Sequence, residues 1–544
     1  MIWLIRIQKE PRNYQACGTI GRKKIELSPT QSQSQRNSPI RIKAKLKEIM
    51  SYKKRFLFLS FLFSNLVGTV LLANKPNVLF ISIDDLNDYI SPLDNHSDII
   101  TPNFDKLAKR SVNFTNAHCA APACHPSRVA VMTGVHPSRS GIYRNMFGAH
   151  GPRWRHESKM LENTVVLSQI FRDNGYEAVG GGKIFHTLQW TPGDSQNDPK
   201  AWDDYLIDPL DPISSIWPRP KLIPDKESGL SDGRPLGGNS QLFGAAPMEI
   251  PNEKTGDHIV VDWAIEEMNK KRTKPAFIAV GLFRPHIPWE VPKEWFDKYP
   301  LDKVALPQHI ENDLDDAQSH KREGWHKWVT DNKQWQHLMH GYLASITYVD
   351  YQLGRLLNAL DKSSMKDNTI IVLWSDHGFH IGEKENWEKF ALWDQTTRVP
   401  FFIHAPGVSK DGKRCQQAVT LTDIYPTLCE LAKIPIPDQC DGKSLVKHLK
   451  EPNLITEKTS LTSFQFWGEK TPSHAVSDDK HRYISYGNGF EELYDLEKDP
   501  HEFKNLASDK NYSEIKNKLK KSIPKNAAKI RRIPKDSPYH KTRN

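Results

Sequence analysis

Cysteine is scarce in this chain, with six residues in 544, at positions 17, 119, 124, 415, 429 and 440. Six is too few for a disulfide scaffold, and as a set they form no zinc-site spacing. Export would permit a Cys429–Cys440 bridge, with two buried free thiols as the other reading. Long apolar runs are missing too, apart from one near the N-terminus. Hydrophobic content of 38% and mean hydropathy of −0.61 fit a soluble globular protein with enough length for a large core. No internal repeat is evident.

A charge surplus is also missing where it would matter. The formal net charge is +10, but residues 1–73 hold 14 Lys or Arg against 3 acids, and residues 516–544 hold 11 against the single acid Asp536. The body between these ends is left near −11 by subtraction. A nucleic-acid partner inferred from total charge is therefore excluded. The basic tail is read either as an aid to retaining a polyanionic glycan or as a solvated end.

The one long apolar run explains the first surplus. Lys53, Lys54 and Arg55 precede FLFLSFLFSNLVGTVLLA, ending at Ala73, the layout of a secretory signal over residues 50–73. An uncleaved anchor is the alternative, since the run could almost span a bilayer. Met50 stands directly before it, so translation is expected to start there, with residues 1–49 a non-native or disordered leader. The mature chain is expected to be periplasmic or secreted, without a permanent membrane anchor.

Along the mature chain, apolar strands alternate with helices. PNVLFISID (76–84), YEAVGGGKIFH (176–186), PAFIAVGLF (275–283) and NTIIVLWSDHG (368–378) read as buried parallel strands that end in polar chemistry. Residues 164–175, 258–270 and 338–362 supply helices, and 102–114 a short helix and return. This predicts an α/β domain around a mostly parallel sheet, over residues 74–455, with ligand chemistry at the strand ends. Residues 187–256 read as a surface insertion and 305–336 as an excursion near the pocket. Alternating aromatics over 456–510 predict antiparallel strands, followed by a helix over 501–522, in a small C-terminal subdomain ending in the basic tail (456–544).

Asp84 and Asp85 end one strand, and Asp376 and His377 end another. Three carboxylates meeting across a sheet would repel unless a cation joined them, which points to a hard oxygen-ligand site. Taken singly, such acids also serve as turns and caps. Triglycine before Lys183 imitates a phosphate-binding loop, but Ile184 stands where that motif needs Ser or Thr. Cys124, read alone, is either a small buried hydrophobe or a thiolate nucleophile.

Cys124-His125-Pro126-Ser127-Arg128 with Thr133-Gly134 has the pattern C-x-P-S-R-x4-T-G, which resembles the type I sulfatase signature. The resemblance implies the alkaline-phosphatase-like sulfatase fold and a formylglycine made from Cys124 by a maturation enzyme. Its hydrated aldehyde has two geminal hydroxyls, one to attack sulfur and one to expel sulfate later. The resemblance also implies calcium on Asp84, Asp85, Asp376, His377 and the residue at 124. It makes Arg128 a clamp, Lys183 and Lys389 sulfate binders, His186 a base near the formylglycine hydroxyl, and His286 a contact to sulfate or leaving oxygen. GKIFH, FRPHIPW, SDHGFHIGE, NWEKF and LYDLEKDPHEFKNLA together look similar to iduronate-2-sulfatases, implying a sulfated saccharide bearing 2-O-sulfated iduronate or a related uronic acid. Another carbohydrate sulfatase or an arylsulfatase, then a phosphate-ester or phosphonate hydrolase on the same fold, and last a noncatalytic sulfated-glycan binder are the rival readings.

Overall fold

The computed structural model describes residues 75–530, apart from 94–95, 97, 146–153, 187–197, 199, 207–243 and 319–322. The signal segment and the leader lie outside the described residues, as does the end of the basic tail. Among the described residues no helix is long and apolar enough to cross a membrane.

Eight strands form the main sheet. Its spatial order is Lys413–Cys415, Val112–Phe114, Phe401–His404, Thr369–Ser375, Asn77–Ile83, Ala276–Leu282, Glu177–Gly182 and Asp204–Leu206. Phe401–His404 runs antiparallel to both neighbours, and every other adjacent pair is parallel. The four apolar segments singled out in the sequence occupy adjacent central positions, where burial on both faces demands continuous apolar runs.

Alternation along Asn77–Ile83 divides the core. Leu79, Ile81 and Ile83 face one hydrophobic cluster, which holds residues of the helices Pro102–Ala108, Gly256–Asn269 and Trp335–Lys362. Val78 and Phe80 face the other, with residues of Cys124–Thr133, Leu167–Asp173 and Ile424–Leu431. The result is a helix–sheet–helix sandwich, as the strand–helix alternation requires.

Register fixes the site. Ile83 pairs with both Ser375 and Leu282, and Gly182 pairs with Gly281. Four parallel strands thus release Asp84, Asp376, Phe283 and Lys183 along one carboxyl edge.

The C-terminal strands Ser460–Phe464, Ser473–Ser477, His481–Ser485 and Glu491–Asp495 form an antiparallel sheet in sequence order. Ala475, Ile484 and Tyr494 on one face pack with Ala123, Ala391 and Leu392, so this sheet leans on the chain beside Cys124. Val476, Tyr483 and Leu493 on the other face pack with Leu519 of the final helix.

Two expectations need correction, and one open choice is decided. The final helix is Ser513–Lys520 rather than 501–522. Before it, Asn505 Oδ1 accepts the amides of Leu493 and Ala507 at 3.1 and 2.9 Å, a local alternative to helical bonding. The insertion 187–256 is no mere surface excursion, because Asp204–Leu206 is the edge strand and Ala245–Met248 pairs with Trp289–Pro292. Of the two readings of Cys429 and Cys440, the structure has the free thiols, and burial pushes both up to about 12.

Candidate active site

Cys124 opens the helix Cys124–Thr133, all of whose residues are buried. The chain before it is extended, with Ala123 at φ −160°, and Gly134 closes the helix in the left-handed region at φ 70°. Pro126 suits the first turn, where its missing amide costs no helical bond. The fully buried Cys124 sulfur lies 3.2 Å from His377 Nε2 and 3.1 Å from Lys389 Nζ. Burial opposes ionisation of this thiol, yet Lys389, Lys183 and His377 together outweigh it and hold the group well below the usual thiol range.

Arg128 follows one helical turn later on the same face. Its Nε donates to Asp376 Oδ2 at 2.7 Å and its Nη2 to Asp84 Oδ1 at 3.1 Å. Its other arm donates to the Lys183 carbonyl and to Ser82 Oγ. Arg128 is fully buried, so these partners are what make its charge tolerable there.

Asp376 is held on both oxygens. Oδ1 accepts the amides of Asp85 and His377 at 3.2 and 3.0 Å, while Oδ2 takes Arg128. Burial, reinforced by Asp84 and Cys124, still pushes it up to about 7 against Arg128 and His377. Burial opposes ionisation of Asp84 as well, but Lys183, His286 and Arg128 prevail and keep its carboxyl below the usual range. Asp85 sits in the left-handed region at φ 60° and takes Lys389 Nζ on Oδ1 at 2.7 Å.

Lys183 ion-pairs with Asp84. It reaches that position through Gly182, at φ 72°, where a Cβ would lie 2.0 Å from the Gly281 carbonyl oxygen. A Cβ on Gly281 would in turn lie 2.3 Å from the Lys183 carbonyl carbon. Close backbone approach therefore explains the glycine run better than anion binding does. His286 lies between the cis prolyl bonds Arg284–Pro285 and Ile287–Pro288. Its Nδ1 meets the Ile287 carbonyl at 2.6 Å, leaving Nε2 3.8 Å from Asp85 Oδ2. His186 sits against Cys124 without an aligned hydrogen bond to a described residue, and burial, against the pull of Cys124, brings it down to about 4. The nine other residues expected at the site therefore lie in one group with Cys124, His286 by way of Asp85.

A metal has a place here. Asp84, Asp85, Cys124 and His377 offer donor atoms within 4.8 Å of one another, all buried. Asp85 Oδ2 has no hydrogen-bond partner among the described residues, and a buried carboxylate oxygen in that condition calls for a cation. His377 Nδ1 meets the Gly378 carbonyl at 3.0 Å, which fixes the ring and turns Nε2 inward. Asp376 borders this group, 3.6 Å from His377 Nε2, with its oxygens already engaged.

The sulfatase family model matches residues 76–434, and the C-terminal model of N-sulphoglucosamine sulphohydrolase matches residues 382–529. The chain belongs to the sulfatase family. It is a hydrolase of that family, with the α/β sulfatase fold and a small C-terminal sheet. A sulfatase of Formosa agariphila is 38% identical over 464 residues, covering 84% of this sulfatase and 87% of its own chain. The iduronate 2-sulfatase of Mus musculus is 29% identical over 452 residues, covering 71% and 77%. The solved phosphonate monoester hydrolase of Silicibacter pomeroyi superposes with a TM-score of 0.65 at 20% identity, covering 82% and 94%, a likeness of fold. The expected closeness to iduronate-2-sulfatases is thus one likeness within the family, since the Formosa protein shares more of the sequence.

Several residues of this sulfatase's site were not singled out in the sequence. Ser127 Oγ donates to the Asp376 carbonyl at 2.5 Å, Asn145 Oδ1 accepts the His125 amide at 2.9 Å, and the Tyr342 hydroxyl donates to the Asp85 carbonyl at 2.8 Å. Ser127 carried a signal inside the motif. Asn145 and Tyr342 carried none, because only the fold brings them to the strand ends.

Proposed function

We propose that the chain hydrolyses sulfate esters on a sulfated saccharide, with 2-O-sulfated iduronate or a related uronic acid as the sugar. The observation that carries this is the Cys124 side chain, gripped by Lys389 and His377 and surrounded by carboxylates with an unsatisfied oxygen. In this reading the Cys124 sulfur marks the place of a formylglycine oxygen, and formylglycine would supply a hydroxyl nucleophile with a built-in second exit. Asp84, Asp85, His377 and residue 124, with Asp376 alongside, would hold calcium, which would supply Lewis-acid charge stabilisation.

The chain's own groups divide the remaining work. Arg128 keeps Asp84 and Asp376 in place and adds positive charge behind them. Lys183 and Lys389 neutralise negative charge gathering on the sulfate oxygens, a role suited to fixed cations in a buried site. His286 Nε2 or Lys389 Nζ gives the leaving alcohol its proton. His186, neutral near pH 7, accepts a proton beside position 124. Asp376, engaged on both oxygens, suits orientation better than proton abstraction.

The C-x-P-S-R pattern implies a maturation enzyme as partner, and the signal-like segment implies a periplasmic or secreted site of action. The mouse relative's name, iduronate 2-sulfatase, supports the uronic acid. A panel of defined sulfated monosaccharides and disaccharides tests the substrate. Preferential turnover of 2-O-sulfated uronic acids is the expected result, and preference for sulfated hexosamines would reject the sugar assignment.

A further inference from the structure

Trp467 is the most exposed large hydrophobic residue among the described residues, at 74% exposure, whereas the other described tryptophans are buried or half-buried. A single exposed indole is ordinary on a protein surface, and it is the position of this one that matters. Its position makes a random surface site a poor explanation.

Two independent connections lead from Trp467 to the catalytic residues. The Arg144 guanidinium stacks over the indole, 4.0 Å from the ring centroid. Arg144 adjoins Asn145, which accepts the amide of His125, next to Cys124. On the other side Trp467 follows Phe466, whose ring lies 4.9 Å from Phe464, itself 5.9 Å from Phe390, next to Lys389. The Phe390 amide is bonded to the Pro122 carbonyl at 3.1 Å, closing the circuit back to the nucleophile's loop. The indole is therefore held between the chain that follows the nucleophile helix, where Asn145 bonds the His125 amide, and the C-terminal sheet, which packs on Ala123 and Ala391 close to Cys124 and Lys389 in the chain.

We infer that Trp467, with Arg144 packed behind it, is a saccharide-stacking platform that binds a pyranose ring of the substrate beside the sulfated sugar. The electron-rich face of an indole attracts the weakly positive C–H face of a pyranose, as it attracts other positive edges. Arg144 fixes the ring plane, so little freedom is lost when a sugar lands. A flat apolar face serves a ring linked to the sulfated sugar, while the charged pocket serves the sulfate. This assignment rests on the saccharide sulfatase reading and deepens it.

The test compares Trp467→Ala and Trp467→Phe with the unaltered full chain, all matured, on a sulfated uronic-acid tetrasaccharide and on nitrophenyl sulfate. Removing the platform should lower the ratio of kcat/KM for the tetrasaccharide over nitrophenyl sulfate about tenfold, through KM, and Trp467→Phe should recover most of it. An unchanged ratio, or equal losses on both substrates, would overturn the assignment. Calorimetric binding of the tetrasaccharide to the unmatured full chain keeps the two readings apart. Weaker binding by Trp467→Ala supports the platform even if no sulfate ester is cleaved, whereas equal affinity, or no binding by the unaltered chain, overturns it.

Discussion

Lys389 places its ammonium 3.1 Å from the Cys124 sulfur, at the centre of the site, although 265 residues separate the two in sequence. Glu388 and Phe390 on either side are in the left-handed region, at φ 69° and 71°, and this backbone turns Lys389 inward. Such strain is retained where the surroundings over-determine it, commonly at functional sites. Lys389→Met should therefore lower kcat by about 100-fold or more while KM changes less, the pattern of a lost transition-state contact. Steady-state kinetics on a sulfate ester checks it.

Asp376 receives Arg128 and two backbone amides beside the Asp84, Asp85 and His377 donors. Asp376→Ala should sharply reduce both calcium content and turnover, because it frees Arg128 and unseats the amides of Asp85 and His377. Metal analysis of the purified variant beside its kinetics decides this, and unchanged values for both would reject the role.

Gly281 passes so close to Lys183 that a methyl group must displace backbone. Gly281→Ala should cost ~2 kcal/mol or more of stability. It should also lower kcat, since Lys183 would shift with the strand. Urea unfolding reads the first effect and turnover the second.

His136 predicts acid sensitivity. Its Nδ1 accepts the Ser138 amide at 3.1 Å and its Nε2 donates to the Leu461 carbonyl at 3.1 Å, so both nitrogens are committed to the neutral ring. Burial brings it down to about 4 from an ordinary 6.5, with the nearby Asp441 carboxylate pulling the other way. The folded value lies below the unfolded one, so this contribution is complete above pH 6.5 and is lost as pH falls toward 4. At most it is about 3 kcal/mol. His136→Asn keeps a capping acceptor without a titrating ring. Its melting temperature should fall less steeply than that of the unaltered chain between pH 7 and pH 4.5. His474, also brought down to about 4, will retain part of the slope.

The central strands were legible because full burial leaves an unbroken apolar signature, as in residues 77–83 and 369–375. Asp84, Asp85, Lys183, His186, His286, Asp376 and His377 were legible because each follows such a strand, and Arg128 because it sits in the motif around Cys124, whereas Lys389 follows no central strand and only the family resemblance pointed to it. Three kinds of feature were not. Asp204–Leu206 is too short to show a period, and its membership of the sheet is set by pairing with Glu177–Gly182. The final helix is shorter than periodicity indicates because Asn505 bonds locally in a way that periodicity does not register. Asn145, Tyr342 and Trp467 lie far from the motifs, and their relation to Cys124 exists only in the folded chain.

The most direct test of sulfate hydrolysis at position 124 uses the full chain expressed with a formylglycine-generating enzyme. One preparation is divided between peptide mass spectrometry of the Cys124 segment and turnover of matched sulfate and phosphonate esters. The account predicts an aldehyde at position 124, with sulfate-ester turnover rising in proportion to its occupancy and exceeding phosphonate turnover. Full sulfatase activity with unmodified Cys124, or faster phosphonate hydrolysis, would contradict it.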